Sequence, residues 1–125
     1  HVLIEATVTD GPAEDPAALL ERLLGPALES GAVEDAVVSA NDAQAEAFWR
    51  IRDSISEAER SEGPAAQHDI SVPVEAMPRF MIEAAAEVER ACPGTRASGY
   101  GHLGDGNIHF HVRAPAGATR DWAAG

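Results

Sequence analysis

The chain has 125 residues and a lopsided charge: its nine cationic side chains are all arginine, and 21 acidic residues leave a formal net charge of −12. That length is one ordinary domain, and a hydrophobic fraction of 45% suits a globular core. So acidic a surface argues against nucleic acid as a partner, because phosphate binding needs a basic face, and no apolar run reaches the ~18 residues of a membrane span. The first residue is His1 rather than Met, with no basic leader ahead of Val2-Leu3-Ile4, so the sequence reads as a segment of something longer. The single Cys92 excludes an internal disulfide and fits a reducing, cytoplasmic setting.

Taken in order, strands and helices alternate, which predicts an α+β sandwich of one sheet and one helical layer. Val2 to Thr9 has the alternation of a strand, with Val2, Ile4, Ala6 and Val8 on one face. Asp15-Pro16 is an N-cap followed by a first-turn proline, and Leu19, Leu20, Leu23, Leu24 and Leu28 give a helical stripe that Gly25-Pro26 is expected to interrupt and Gly31 to end. Ala32 to Ala40 is a second predicted strand. Asn41 caps a helix that carries Ala45, Phe48, Trp49, Ile51, Arg52, Ile55 and Ser56 and runs to Gly63-Pro64, its large apolar residues expected in the core. His68 to Val74 alternates as a third strand. Glu75 to Ala91 is a helix with Met77, Phe80, Met81, Ala84 and Val88 on its buried side, and Pro78 is tolerated in the first turn. Cys92 follows it as a small, half-buried residue at a helix end. Arg96 to Tyr100 and Asn107 to Val112 are the last strands, and the tail from Ala114 to Gly125 carries no convincing element.

Chemistry concentrates between the last two strands. Gly99 to Val112 holds three of the five histidines and four glycines. Glycine allows φ > 0 and close backbone approach, and Asp-Gly and Gly-Asn are tight-turn steps. Beyond the turn Ile108, Phe110 and Val112 alternate with Asn107, His109 and His111, so one face buries and the other lines up polar side chains. His102 and His109, with His111 in reserve, are candidate metal ligands; the alternative is polar residues on the solvent side of an edge strand. Asp105, between two glycines, is either a further ligand or a turn residue bonding its own backbone. Arg52 and Ser56, four apart on a helix, would share a face and suit a carboxylate, against the alternative that Arg52 is surface charge paired with Glu57 or Glu59. His68 and Asp69 open a strand and could form a hydrogen-bonded pair, against the favoured alternative that both serve only as strand-end residues. With no lysine, a Walker-type phosphate loop is excluded.

Three segments in this order, Phe48-Trp49-Arg50-Ile51-Arg52-Asp53-Ser54-Ile55-Ser56, His68-Asp69-Ile70-Ser71-Val72-Pro73-Val74 and Gly101-His102-Leu103-Gly104-Asp105-Gly106-Asn107-Ile108-His109, closely resemble the C-terminal domain of FAD-linked oxidases. That family includes D-lactate, D-2-hydroxyglutarate and glycolate dehydrogenases. The resemblance implies a ferredoxin-like α+β substrate-binding domain, spanning residues 1–125 as a single truncated unit, that closes over the flavin of a separate FAD-binding domain. It further implies that His102 and His109 hold a divalent metal, commonly zinc, which polarises the hydroxyl of a small 2-hydroxy acid while hydride leaves for flavin N5. Arg52 and Ser56 would hold the substrate carboxylate, and the turn residues Gly104, Asp105, Gly106 and Asn107 would lie at the cofactor. Gln67 stands where many members have lysine and His111 where the hydroxyglutarate enzymes have asparagine, both expected to face substrate. The family's later Glu-His-Gly segment, source of a third metal ligand and a base, is not in this sequence.

The expectation is therefore the substrate- and metal-binding portion of an FAD-dependent 2-hydroxyacid dehydrogenase, inactive alone, cytoplasmic or membrane-peripheral through its parent enzyme, with exposed apolar surface that favours self-association. The competing reading is a free-standing ferredoxin-like binding or assembly module without redox chemistry.

Overall fold

The structure is a computed structural model that describes residues 1–8, 14–119 and 121–122. They fall into two compact units, His1–Ile55 and Ser56–Gly125.

The first unit is helical. Helix α1 (Pro16–Glu29) starts as its sequence dictates: the Asp15 carboxylate accepts the Ala18 N–H at 3.3 Å, with proline in the first turn. It does not break at Gly25-Pro26. Proline removes one hydrogen-bond rung, but its own carbonyl still accepts the Ser30 N–H at 3.0 Å, and the helix continues until Gly31 at φ 73°. Helix α2 (Asp42–Asp53) is capped by Asn41, whose side chain accepts the Gln44 N–H at 3.0 Å.

Two expected strands of this unit are not formed. Residues 2–8 and 32–40 have no strand structure, and Thr9 lies outside the described residues. Alternation sets which side chains share a face, but a strand also needs a neighbour for its N–H and C=O groups. No ladder among the described residues includes these segments, and Val2 and Val37 remain 76% and 72% exposed.

The helix expected from Asn41 to Gly63 is interrupted at Ser54. Its N–H makes the last helical bond of α2, to the Arg50 carbonyl at 3.0 Å, while its hydroxyl donates to the Ile51 carbonyl at 2.8 Å, a local bond that competes with helix continuation. Helix α3 (Ile55–Ser61) follows. Trp49, expected in the core, is 37% exposed.

The second unit holds the core. Strands β1 (Ala65–Ser71), β2 (Arg96–His102) and β3 (Asn107–Arg113) make an antiparallel sheet in the order β1-β3-β2. The registers pair Ile70 with Ile108, His68 with Phe110, Tyr100 with His109 and His102 with Asn107. Since side chains alternate along a strand, these pairings give each face its character. Ile108, Phe110 and Val112 are buried on the apolar face, and helix α4 (Met77–Ala91), entered through a short 3-10 turn at Val74–Ala76, packs on it through Met77, Phe80, Met81, Ala84 and Val88. The Phe80 and Phe110 rings lie 6.0 Å apart at 60°. Each such side chain contributes roughly 1.5–3 kcal/mol by leaving water. Cys92 caps α4 but is exposed. Trp122, in the tail where no element is expected, packs against this core. The class is α+β as expected.

Glycine is required twice around the turn. Gly106 has φ 65°, and a Cβ there would collide with the Val72 carbonyl oxygen, while its own carbonyl accepts the Val72 N–H at 2.9 Å. Gly101 lies against the Asn107 backbone, where a Cβ would meet the carbonyl oxygen. A 3-10 turn at Leu103–Asp105 closes the link, and Gly104 faces open space.

Candidate functional site

The pleat that buries Ile108 and Phe110 sends Asn107, His109, His111 and Arg113 of β3 to the opposite face. By register, Gln67 and Asp69 of β1 and Tyr100 and His102 of β2 join them there. The half-buried His109 ring places Nδ1 2.6 Å from Asp69 Oδ1, and the Asn107 amide donates to the same oxygen at 3.4 Å. Two positions along, His111 is almost fully buried, with Nδ1 3.4 Å from Glu59 Oε2. That carboxylate also takes Arg113 Nη2, and Arg113 donates further to the Glu59 carbonyl. One acidic residue of α3 thus satisfies two cationic or polar groups of β3, which removes the cost of leaving either buried and unpaired.

Tyr100 lies between the two imidazoles. Its ring is 5.1 Å from that of His109 at 50° and 5.4 Å from that of His111 at 81°. Its hydroxyl is 3.0 Å from Ser56 Oγ. Ser56 and Glu59, three apart on α3, therefore both reach the polar face of the sheet. Beside Ser56 opens a cleft of about 410 Å³ whose walls include Ser56, Arg60, Gln67, Tyr100, His109 and His111.

Of the residues singled out by sequence, Ser56, Gln67, His68, Asp69, His109 and His111 line this cleft. His102 is on the same face of the sheet, two positions from Tyr100. The Asp69 side chain pairs with His109 rather than with His68, the option the sequence left as the lesser one, since neighbours on a strand point to opposite faces. Gly104, Asp105 and Gly106 form the turn beyond His102, with Gly106 explained by its backbone. Arg52 belongs to the first unit, where its Nη1 lies 3.5 Å from Asp53 Oδ1; Glu59, a suggested partner for it, is taken by Arg113 and His111. Tyr100, Glu59 and Arg113 were not singled out as functional by sequence. Parity was the available signal for two of them, since Tyr100 is two residues from His102 and Arg113 two from His111.

Among the described residues no group of three or more His, Cys, Asp or Glu side chains is placed to hold an ion. The carboxylate beside His109 is engaged by that histidine's own Nδ1, which leaves Nε2 as the ring's remaining ligand atom. A zinc site closed by these residues alone does not fit.

The family model for FAD linked oxidases, C-terminal domain, matches residues 2–124. The probable mitochondrial D-2-hydroxyglutarate dehydrogenase of Oryza sativa subsp. indica is 39% identical over 112 residues, covering 90% of this chain and 19% of the relative. The D-2-hydroxyglutarate dehydrogenase of Xanthomonas citri pv. viticola is 42% identical over 88 residues, covering 70% and 18%. The mitochondrial D-2-hydroxyglutarate dehydrogenase of Arabidopsis thaliana is 36% identical over 114 residues, covering 91% and 20%. The chain spans about one fifth of the length of the curated relatives it matches. No helix among the described residues is long and apolar enough to cross a membrane. Matched along nearly its whole length, the chain belongs to the FAD linked oxidases as a C-terminal domain of that family.

Proposed function

We propose that this chain is the substrate-binding part of an FAD-dependent dehydrogenase that oxidises a small 2-hydroxy acid to the 2-oxo acid. One observation carries the reading: the family match over residues 2–124, with relatives named as D-2-hydroxyglutarate dehydrogenases. FAD, held mainly by another domain of the parent protein, supplies the hydride acceptor. The turn at Gly104, Asp105, Gly106 and Asn107 is the proposed approach to it, with Gly104 leaving room for a neighbour.

The chain's own residues have the following roles in this reading. His102 and His109 contribute two ligands to a divalent metal whose remaining ligand comes from elsewhere in the parent protein; when bound, the ion lowers the pKa of the substrate hydroxyl. Asp69 holds His109 by Nδ1 and keeps Nε2 for that task. Ser56 offers a hydroxyl, and Arg52 a guanidinium, to the substrate carboxylate. Gln67 and His111, opposite each other across β1 and β3, meet the distal part of the acid, and Gln67 brings no charge there.

The test is a screen of the full-length protein against 2-hydroxy acids with and without a second carboxylate, followed by dye reduction. The protein should be yellow and active with at least one acid. His102→Ala and His109→Ala should each lower turnover at least ~100-fold, the equivalent of several kcal/mol of charge stabilisation. Unchanged turnover in both variants removes the ligand assignment; a colourless protein with no activity on any acid removes the whole reading.

A further inference from the structure

We propose that Tyr100 is a positioning residue for substrate binding: its phenol donates to Ser56 Oγ, and the Ser56 hydroxyl proton is thereby aimed at a carboxylate oxygen of the bound acid. The inference rests on the reading above and adds a residue and a direction to it.

Three features of the second unit carry it. First, the Tyr100 hydroxyl and Ser56 Oγ are 3.0 Å apart across 44 positions of sequence, a bond that only the packing of α3 against the polar face of the sheet can create. Second, the phenol has little freedom to turn away. Its ring stands between His109, held by Asp69, and His111, held by Glu59, and Glu59 is tied in turn to Arg113. Third, Ser56 and Tyr100 both line the same cleft.

The direction follows from proton inventory. In a bond between two hydroxyls one donates and the other accepts, and the phenol is the more acidic, so it is the better donor. Accepting from the phenol through one of its lone pairs, Ser56 keeps its own proton for a second partner. A carboxylate oxygen is the strongest acceptor a 2-hydroxy acid brings to the cleft. Successive hydroxyls donating in one sense polarise each other, so the Ser56 bond to substrate is stronger with Tyr100 behind it.

The full-length protein, assayed with D-2-hydroxyglutarate and D-lactate, provides the test. Tyr100→Phe keeps the ring between the histidines and removes only the donor. It should raise KM about 2- to 10-fold with kcat within about 2-fold, the effect of one lost hydrogen bond made equally in ground and transition states. Ser56→Ala should raise KM at least as much, and adding Tyr100→Phe to it should change KM by less than about 2-fold, since the two act as one unit. Ser56→Thr, which keeps a hydroxyl, should restore sensitivity to Tyr100→Phe. Additive effects, a fall in kcat at constant KM, or a silent Tyr100→Phe beside a damaging Ser56→Ala each overturn the proposal while leaving the 2-hydroxyacid reading in place. Absence of turnover with every acid of the screen overturns the reading, and the relay falls with it.

Discussion

The two halves of this chain have similar sequence texture and different physics. The first unit, His1–Ile55, has well-capped helices and alternating apolar stretches, yet none of its described residues is buried. The second, Ser56–Gly125, contains Met77, Ile108, Phe110, Val112 and His111, all nearly removed from water. The difference is pairing. In the second unit β3 has a neighbour on each side, so one alternating stretch yields a sealed apolar face and an organised polar one. In the first, alternation without a ladder leaves Val2, Ile4, Val8 and Val37 exposed. Caps and turns establish elements, whereas long-range register creates both core and site.

The largest test of that contrast is truncation of one apolar side chain in each unit. Phe110→Ala removes a ring that is 4% exposed and packed on Phe80, and should cost about 3–5 kcal/mol. Val37→Ala removes a side chain that is 72% exposed and should stay within about 0.5 kcal/mol. Denaturant unfolding of the two variants reads the gap directly. Equal losses would show that the first unit contributes a core of its own.

A smaller contrast lies within one turn. Gly106→Ala places a Cβ against the Val72 carbonyl at φ 65°, and should destabilise by about 1–3 kcal/mol. Gly104→Ala meets open space at an ordinary φ and should be nearly silent, within about 0.5 kcal/mol. Thermal unfolding of the pair distinguishes a glycine needed by the backbone from one that leaves room. A damaging Gly104→Ala would reverse that assignment.

These positions also mark where sequence is a sufficient guide. The alternation of residues 107–112 stated which side chains of β3 would be buried, because a strand's faces depend only on parity. The buried side of α4 was legible for the same local reason, from residues three and four apart. Asp15, Asn41 and Gly63-Pro64 marked helix ends because capping is a short-range bond. The site was legible only in part. His109, His111 and Ser56 stood out by residue type, but Glu59 to Arg113 and Ser56 to Tyr100 are contacts between residues 54 and 44 apart, which no local pattern encodes. Segments 2–8 and 32–40 failed for the complementary reason, since parity predicts faces without supplying a partner strand.

The smallest expected effect returns to the first unit, where ion pairs stand in the solvent. Arg22 donates from Nε and Nη2 to the two Glu14 oxygens at 3.1 and 2.7 Å, both side chains being exposed. The bond from Arg22 holds the Glu14 carboxyl below its usual value of 4.5 and raises Arg22 in turn. Because the folded-state value is depressed, Glu14 stabilises the fold above its unfolded value, and that contribution disappears as pH falls through the folded one. Glu14→Gln should therefore lower the melting temperature slightly at pH 7, and the gap should close as pH drops below 4.5. Solvent screening makes such a pair weak, so salt should shrink the gap at pH 7 as well. A gap that widens on acidification would mean the pair opposes folding. A salt-insensitive gap would mean the two side chains are shielded from water, contrary to the open character of this half of the molecule.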